Sequence, residues 1–237
     1  MTAILRPAAG PVADPMAPLP TVPPLPSSPP LPTVPRRIHI IGGPGSGKTT
    51  LAGALGAALD LPVIHLDDVA RVGGGTGRIR TPAERDPLVA AILAGDAWIA
   101  EGVHLGWTEP LLASAELIIW LEAATGSVAA GRIAERFWAD AWAELRRRSW
   151  RQRIAAIPGH ARHARDLVGA MIAARRYART DAPASVDPSG TLDSRAATQA
   201  ALAAHTDRVR HVGSHAEADA LVTELEARAG AAAAGAV

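Results

Sequence analysis

One short stretch limits this chain more than any other: Gly42-Gly43-Pro44-Gly45-Ser46-Gly47-Lys48-Thr49-Thr50. It reads G-x-x-x-x-G-K-[ST], and its flanks suit it. Arg37–Ile41 before it is a short apolar strand, and Leu51, Leu55, Ala58 and Leu59 after it recur at helical spacing. Glycines let the backbone turn so tightly that successive N–H groups point inward, which makes an anion cradle. The positive end of the following helix adds to it. Strand, loop and helix in this order predict a phosphate-binding loop opening a parallel α/β sheet.

Within that loop, Lys48 is expected to reach the β- and γ-phosphates as a compact charge, with the Thr49 hydroxyl as a Mg²⁺ ligand. Gly43, Pro44, Gly45, Ser46, Gly47 and Thr50 complete the nucleotide-binding set. Lys48 is also the only lysine; every other cationic side chain apart from histidine is arginine. Arginine therefore serves wherever a basic residue is merely needed, and the retained ammonium suggests that a forked guanidinium would not fit.

Composition removes several classes of function. There is no cysteine among the 237 residues, which excludes disulfides, thiolate metal sites and cysteine nucleophiles. The apolar run Leu117–Leu121 is far too short to span a bilayer, and no basic segment followed by an apolar block marks a secretory signal. A cytoplasmic protein is expected. The net charge of +1 hides an asymmetry. Residues 131–179 hold twelve arginines against four acids, a local balance of +8 that points to phosphate or nucleic acid.

Residues 1–35 carry twelve of the twenty prolines and only two charges, Arg6 and Asp14. Proline lacks the backbone donor, so this segment reads as a disordered or polyproline-like tail. It is a candidate ligand for a proline-recognising partner, with a plain tether as the alternative. The domain itself is expected over 36–229, followed by a flexible tail at 230–237. Strands are expected at Arg37–Ile41, 62–66, 97–100, Leu117–Leu121 and 208–212. Helices are expected at Lys48–Leu59, Pro82–Leu93, 125–137, within 161–179, within 194–205, and at 215–229.

Ligands of open α/β sheets sit at the carboxyl ends of strands, and two acids lie there. Asp67, after the second strand, is a candidate either to take a proton from an acceptor hydroxyl or to hold Mg²⁺ through water; the alternative is that Asp67 or Asp68 caps the next helix. Glu101, after the third strand and before Gly102, suits a carboxylate that holds Mg²⁺ through water. His104 reads as structural or solvated. Arg132 and Arg136 share a helix face, and further on Arg146, Arg147, Arg148, Arg151 and Arg153 form a cationic cluster; either set is suited to neutralising a transferring phosphoryl group, with a solvated helix face as the alternative. Trp138 and Trp142, four apart, read as packing for a lid helix, with base stacking as the alternative.

These residues resemble a family. Residues 42–49 fit the G-x-P-G-x-G-K-[ST] form of adenylate kinase and related small P-loop kinases, and Arg132-Ile133-Ala134-Glu135-Arg136 is similar to that family's arginine pair at the root of the lid. His65-Leu66-Asp67 and Trp98-Ile99-Ala100-Glu101-Gly102 also resemble motifs of the adenylate-kinase-like DNA topology modulation proteins. The resemblance implies a P-loop NTPase three-layer sandwich with a five-stranded parallel sheet of order 2-3-1-4-5. It further implies ATP as donor with Mg²⁺, an arginine-rich helical lid, and Gly213-Ser214-His215 near the adenine, with Ser214 among the nucleotide contacts. Adenylate kinase proper has Asp-Gly-Phe-Pro-Arg where this chain has Glu101-Gly102-Val103-His104-Leu105, and its monophosphate-binding arginines have no clear match here, with Arg71, Arg78 and Arg80 as candidates. The expected activity is ATP-dependent phosphorylation of a small, nucleotide- or nucleoside-like acceptor. The alternative is a nucleotide-gated ATPase module that binds nucleic acid through its arginines. A GTPase is excluded, because its Asn-Lys-x-Asp motif needs a second lysine. No Leu-Ser-Gly-Gly-Gln stretch marks an ABC-type ATPase, and no Asp-Glu pair at the third strand marks an AAA+ motor.

Overall fold

The structure is a computed structural model and describes residues 34–73, 77–122, 177 and 194–235. Five strands form one parallel sheet: β1 (Arg37–Ile41), β2 (Val63–His65), β3 (Trp98–Glu101), β4 (Leu117–Leu121) and β5 (Val209–Val212). Their order is β2-β3-β1-β4-β5, as the family resemblance implies, so the strand that feeds the glycine loop lies at the centre. The helices are α1 (Lys48–Leu59), α2 (Leu66–Ala70), α3 (Pro82–Leu93), α4 (Glu109–Ser114), α5 (Arg195–Leu202) and α6 (His215–Gly235), with a 3₁₀ turn at Ala203–His205.

Strand alternation sorts the core into two layers. On one face Ile38 and Ile40 of β1, with Leu117, Ile119 and Leu121 of β4, pack under Leu51 and Leu55 of α1 and Leu221 and Leu225 of α6. On the other, Ile41, Ala100, Ile118 and Trp120 pack against Leu66 and Val69 of α2, Val89 of α3, Leu111 and Leu112 of α4, and Leu202 of α5. Every residue of β4 is buried, as a strand covered on both faces requires. Each such side chain taken from water contributes on the order of 1.5–3 kcal/mol, so the sheet under the loop is a rigid floor.

Several boundaries differ from expectation. The second strand stops at His65 because Leu66 already begins α2, and the third includes Glu101. Two short helices, α2 and α4, were not anticipated. The last helix runs on to Gly235 instead of ending at 229, on a run of alanines that favours helix without any need to pack. The helix expected at 125–137 lies outside the described residues, as do most of 161–179 and all of 1–33.

Candidate active site

Residues 42–47 leave β1 and turn directly into α1. Gly45 and Gly47 take φ of 77° and 100°, backbone that favours glycine. Ser46 N donates to Gly43 O at 3.2 Å, and Leu51 N donates to Gly47 O at 3.0 Å, so the helix ladder starts from the loop. Gly43 is needed for a different reason: the Tyr177 ring lies against it, and a Cβ there would sit 2.4 Å from Tyr177 Cδ1. Lys48 Nζ donates to Gly43 O at 3.1 Å, so the ammonium lies back over its own loop. The Ser46 hydroxyl is buried and finds no partner among the described residues. Pro44 is half-buried at the bend, while Thr49 and Thr50 are exposed.

The register of the strands carries the carboxylates to this loop. Ile40 of β1 pairs with Glu101 of β3, and His65 of β2 pairs with the same Glu101. The buried Glu101 carboxylate therefore lies between two donors, and a single oxygen, Oε1, meets both. Thr49 Oγ1 donates to it at 3.1 Å, and His65 Nδ1 lies 2.8 Å away.

One turn further out, Asp67 Oδ1 lies 2.7 Å from His104 Nε2. That hydrogen bond is the main reason the Asp67 carboxyl titrates below its ordinary range, with Lys48 and Arg71 adding positive potential. His104 stacks on Trp107 with centroids 5.2 Å apart, and the Arg85 guanidinium stands 5.0 Å over the Trp107 ring. The turn that presents His104 depends on Gly102, whose φ is 152° and whose missing Cβ would meet Leu66 Cβ at 2.8 Å. Close packing of α2 on this glycine is what brings Asp67 within reach of His104.

Behind this pair lies His39, fully buried on β1 with neither ring nitrogen in a well-formed hydrogen bond among the described residues. Burial lowers its pKa to about 4; the Gly102 backbone opposes this and nearby His104 adds to it, so His39 is a neutral group at pH 7.

On the far side of the loop, Glu122 follows β4 and pairs with Arg195 Nε and with His211 Nε2, the latter at 2.7 Å. Burial works against its ionisation, yet the bonds from His211 and Arg195 hold its pKa at about 2. Tyr177 donates its hydroxyl to Thr198 Oγ1 at 3.0 Å, which ties the ring over Gly43 to α5. Ser214 stands at the start of α6: its Oγ accepts from Glu217 N at 3.2 Å and donates to Glu217 Oε1 at 3.0 Å, while Gly213 N donates to Glu217 Oε2 at 2.9 Å. Ser214 thus caps the helix, while the Glu217 carboxylate reaches back to the residue before it. The same helix start approaches the loop, since a Cβ on Gly47 would lie 3.6 Å from His215 Cε1.

The structure therefore gathers Lys48, Thr49, Asp67 and Glu101 around the end of β1. Arg132 and Arg136, with the arginines of 146–153, lie outside the described residues. The sequence reading passed over three features: His65 as a partner of Glu101, His104 as the partner of Asp67, and Tyr177 against Gly43. His65 stood in the tripeptide already singled out, and only the strand register shows its use. Among the described residues no cluster of three or more His, Asp or Glu side chains could hold a metal on its own, and no described helix is long and apolar enough to cross a membrane.

No protein-family model and no curated protein matches the chain. Among solved structures it is similar to a gluconokinase from Sinorhizobium meliloti 1021, at 25% sequence identity and a TM-score of 0.33, over 43% of this chain and 65% of that one.

Proposed function

We propose that the chain is an ATP-dependent phosphotransferase acting on a small molecule with a free hydroxyl, a nucleotide- or nucleoside-like compound being the first to test. The observation that carries this reading is the bond from Thr49 to Glu101, which joins the phosphate loop to the acid at the end of β3, with Asp67 one turn away. The loop fits a polyphosphate: its glycines leave room for backbone to approach an anion, and the Ser46 hydroxyl has no other described partner. A hydroxyl and a carboxylate are the hard oxygen donors that Mg²⁺ takes, and so small a protein set suits an ion that keeps waters and substrate phosphates as its remaining ligands. Thr49 and Glu101 would hold it, and it would offset charge on the β- and γ-phosphates.

Lys48, swinging from the Gly43 carbonyl, would hold the same phosphates. Asp67, kept ionised by His104 and Lys48, would take the proton of the acceptor hydroxyl as its oxygen bonds to the γ-phosphorus. The bond from that phosphorus to the β–γ bridging oxygen breaks, and ADP leaves. Arg132 and Arg136 are proposed to neutralise the transferring group from the lid, and Ser214 to line the adenine side. The arginine-rich stretch that suggested a nucleic-acid-binding module lies outside the described residues, and no described contact favours that reading.

The test is MgATP turnover by the purified protein with nucleoside monophosphates, nucleosides and small hydroxy compounds as acceptors, and Lys48→Ala as control. Marked, Lys48-dependent stimulation by one acceptor is expected. Slow hydrolysis indifferent to every acceptor but accelerated by DNA or RNA would replace the kinase reading.

A further inference from the structure

We infer that His104 is the positioning residue of Asp67, and that Trp107 and Arg85 hold His104 in turn, so that α3 sets the orientation of the proposed base. The inference rests on the reading of Asp67 as the group that takes the acceptor's proton.

The two partners are unequally held. The Asp67 side chain is 72% exposed and sits on a helix of five residues, whereas the His104 side chain is 11% exposed. His104 is fixed from several directions. Its ring stacks on Trp107, its carbonyl accepts from Thr108 Oγ1 at 2.8 Å, and the Gly102 turn beneath it is packed against Leu66. A carboxylate in solvent samples several rotamers, and ordering it costs entropy. A buried ring 2.7 Å from one of its oxygens selects one rotamer. The bond engages Oδ1, which leaves Oδ2 to receive the acceptor's proton; position matters here, because misplacing a catalytic group by about 1 Å can cost a hundredfold.

The stack continues outward. Trp107 contacts both His104 and the Arg85 guanidinium, and Arg85, on α3, bonds Asp86 Oδ1 at 2.9 Å from Nη2. Arg85, Trp107, His104 and Asp67 thus form a chain of contacts. It links elements separated in sequence, and none of its residues belongs to the glycine loop.

The experiment measures MgATP turnover with water as the acceptor, reading kcat and the KM for MgATP separately, with thermal melts alongside. His104→Ala is expected to lower kcat about tenfold or more with KM unchanged, and His104→Gln, whose amide nitrogen can donate from a similar place, to restore most of it. Trp107→Leu should lower kcat less, also at constant KM. Adding His104→Ala to Asp67→Asn should cost nothing further, because His104 acts through Asp67. If Asp67→Asn itself turns over like the parent, the reading of Asp67 as base is wrong and takes this inference with it. If Asp67→Asn is inactive while folded His104→Ala matches the parent, the base stands and the positioning role is overturned. Equal losses in folded His104→Ala and His104→Gln, or a further loss in the double variant, would also overturn it. Should His104→Ala fail to fold, the Gln and Trp107→Leu arms decide alone: parent-like kcat in Trp107→Leu, or a raised KM, counts against the proposal.

Discussion

The Thr49 hydroxyl donates to Glu101 Oε1 at 3.1 Å across 52 positions of sequence. A residue of the glycine loop and a residue of the neighbouring strand thus share one hydrogen bond at the place where phosphate chemistry would occur. Thr49 is exposed and Glu101 is buried, so the bond ties a surface hydroxyl to a buried carboxylate at the end of β3. A variant of Glu101 that keeps its shape and hydrogen bonding separates the effect of its charge from that of its packing.

Glu101→Gln keeps shape and hydrogen bonding but removes the charge. We expect a hundredfold or so fall in turnover and a raised Mg²⁺ requirement, with little change in melting temperature, as fits loss of one electrostatic contact at a phosphoryl site. Titration of activity with Mg²⁺ checks this; an unchanged requirement would remove Glu101 from the metal.

Gly102→Ala should do the reverse of a surface change. A Cβ at that position meets Leu66 Cβ at 2.8 Å, on a backbone of φ 152°. Overpacking and backbone strain together predict a loss of about 2–4 kcal/mol, read as denaturant midpoint, and α2 must shift away from His104.

His39 predicts a pH dependence of stability. Its pKa falls from 6.5 in the unfolded chain to about 4 in the folded one, so between those values the unfolded state binds more protons. Its contribution is complete above pH 6.5 and is lost as pH falls through 4, in all roughly 3 kcal/mol. His39→Leu, which replaces two buried nitrogens lacking a well-formed hydrogen bond with an apolar side chain, should be more stable than the parent at pH 5 and flatten the pH curve over that range. Urea melts at several pH values measure it.

Ser214 lets two roles be separated. As the cap of α6, Ser214→Ala should cost about 1 kcal/mol. If Ser214 also lines the nucleotide, the KM for ATP rises as well; an unchanged KM with a lowered melting temperature would leave it a capping residue only.

What the sequence showed well was local. The glycine loop, the apolar runs of β1 and β4, and α1 and α3 are all written in contiguous residues, and Thr81 with Pro82 and Glu84 marks the start of α3 as a capping box. The strand order came from the family resemblance rather than from any pattern in the residues. α2 and α4 escaped because five or six residues are too few to show helical periodicity. His104 reads as a solvated or structural side chain because nothing in Glu101-Gly102-Val103-His104 says where the chain goes next. Its partner is 37 positions away, and only the packing of Leu66 on Gly102 brings them together. The same holds for Tyr177, whose ring against Gly43 could not be read from either residue.

The packing of α6 on α1 has a bearing on how the protein is made. Leu221 and Leu225 of α6 cover Leu51 and Leu55, the residues just past the phosphate loop. The glycine loop is thus made more than 150 residues before the surface that steadies its helix. A nascent chain that has not yet reached His215 holds every residue of the loop and the strands on which α1 lies, but lacks the Leu221 and Leu225 contacts to Leu51 and Leu55. Full support for the helix that opens at the glycine loop is therefore completed only by the last helix of the fold.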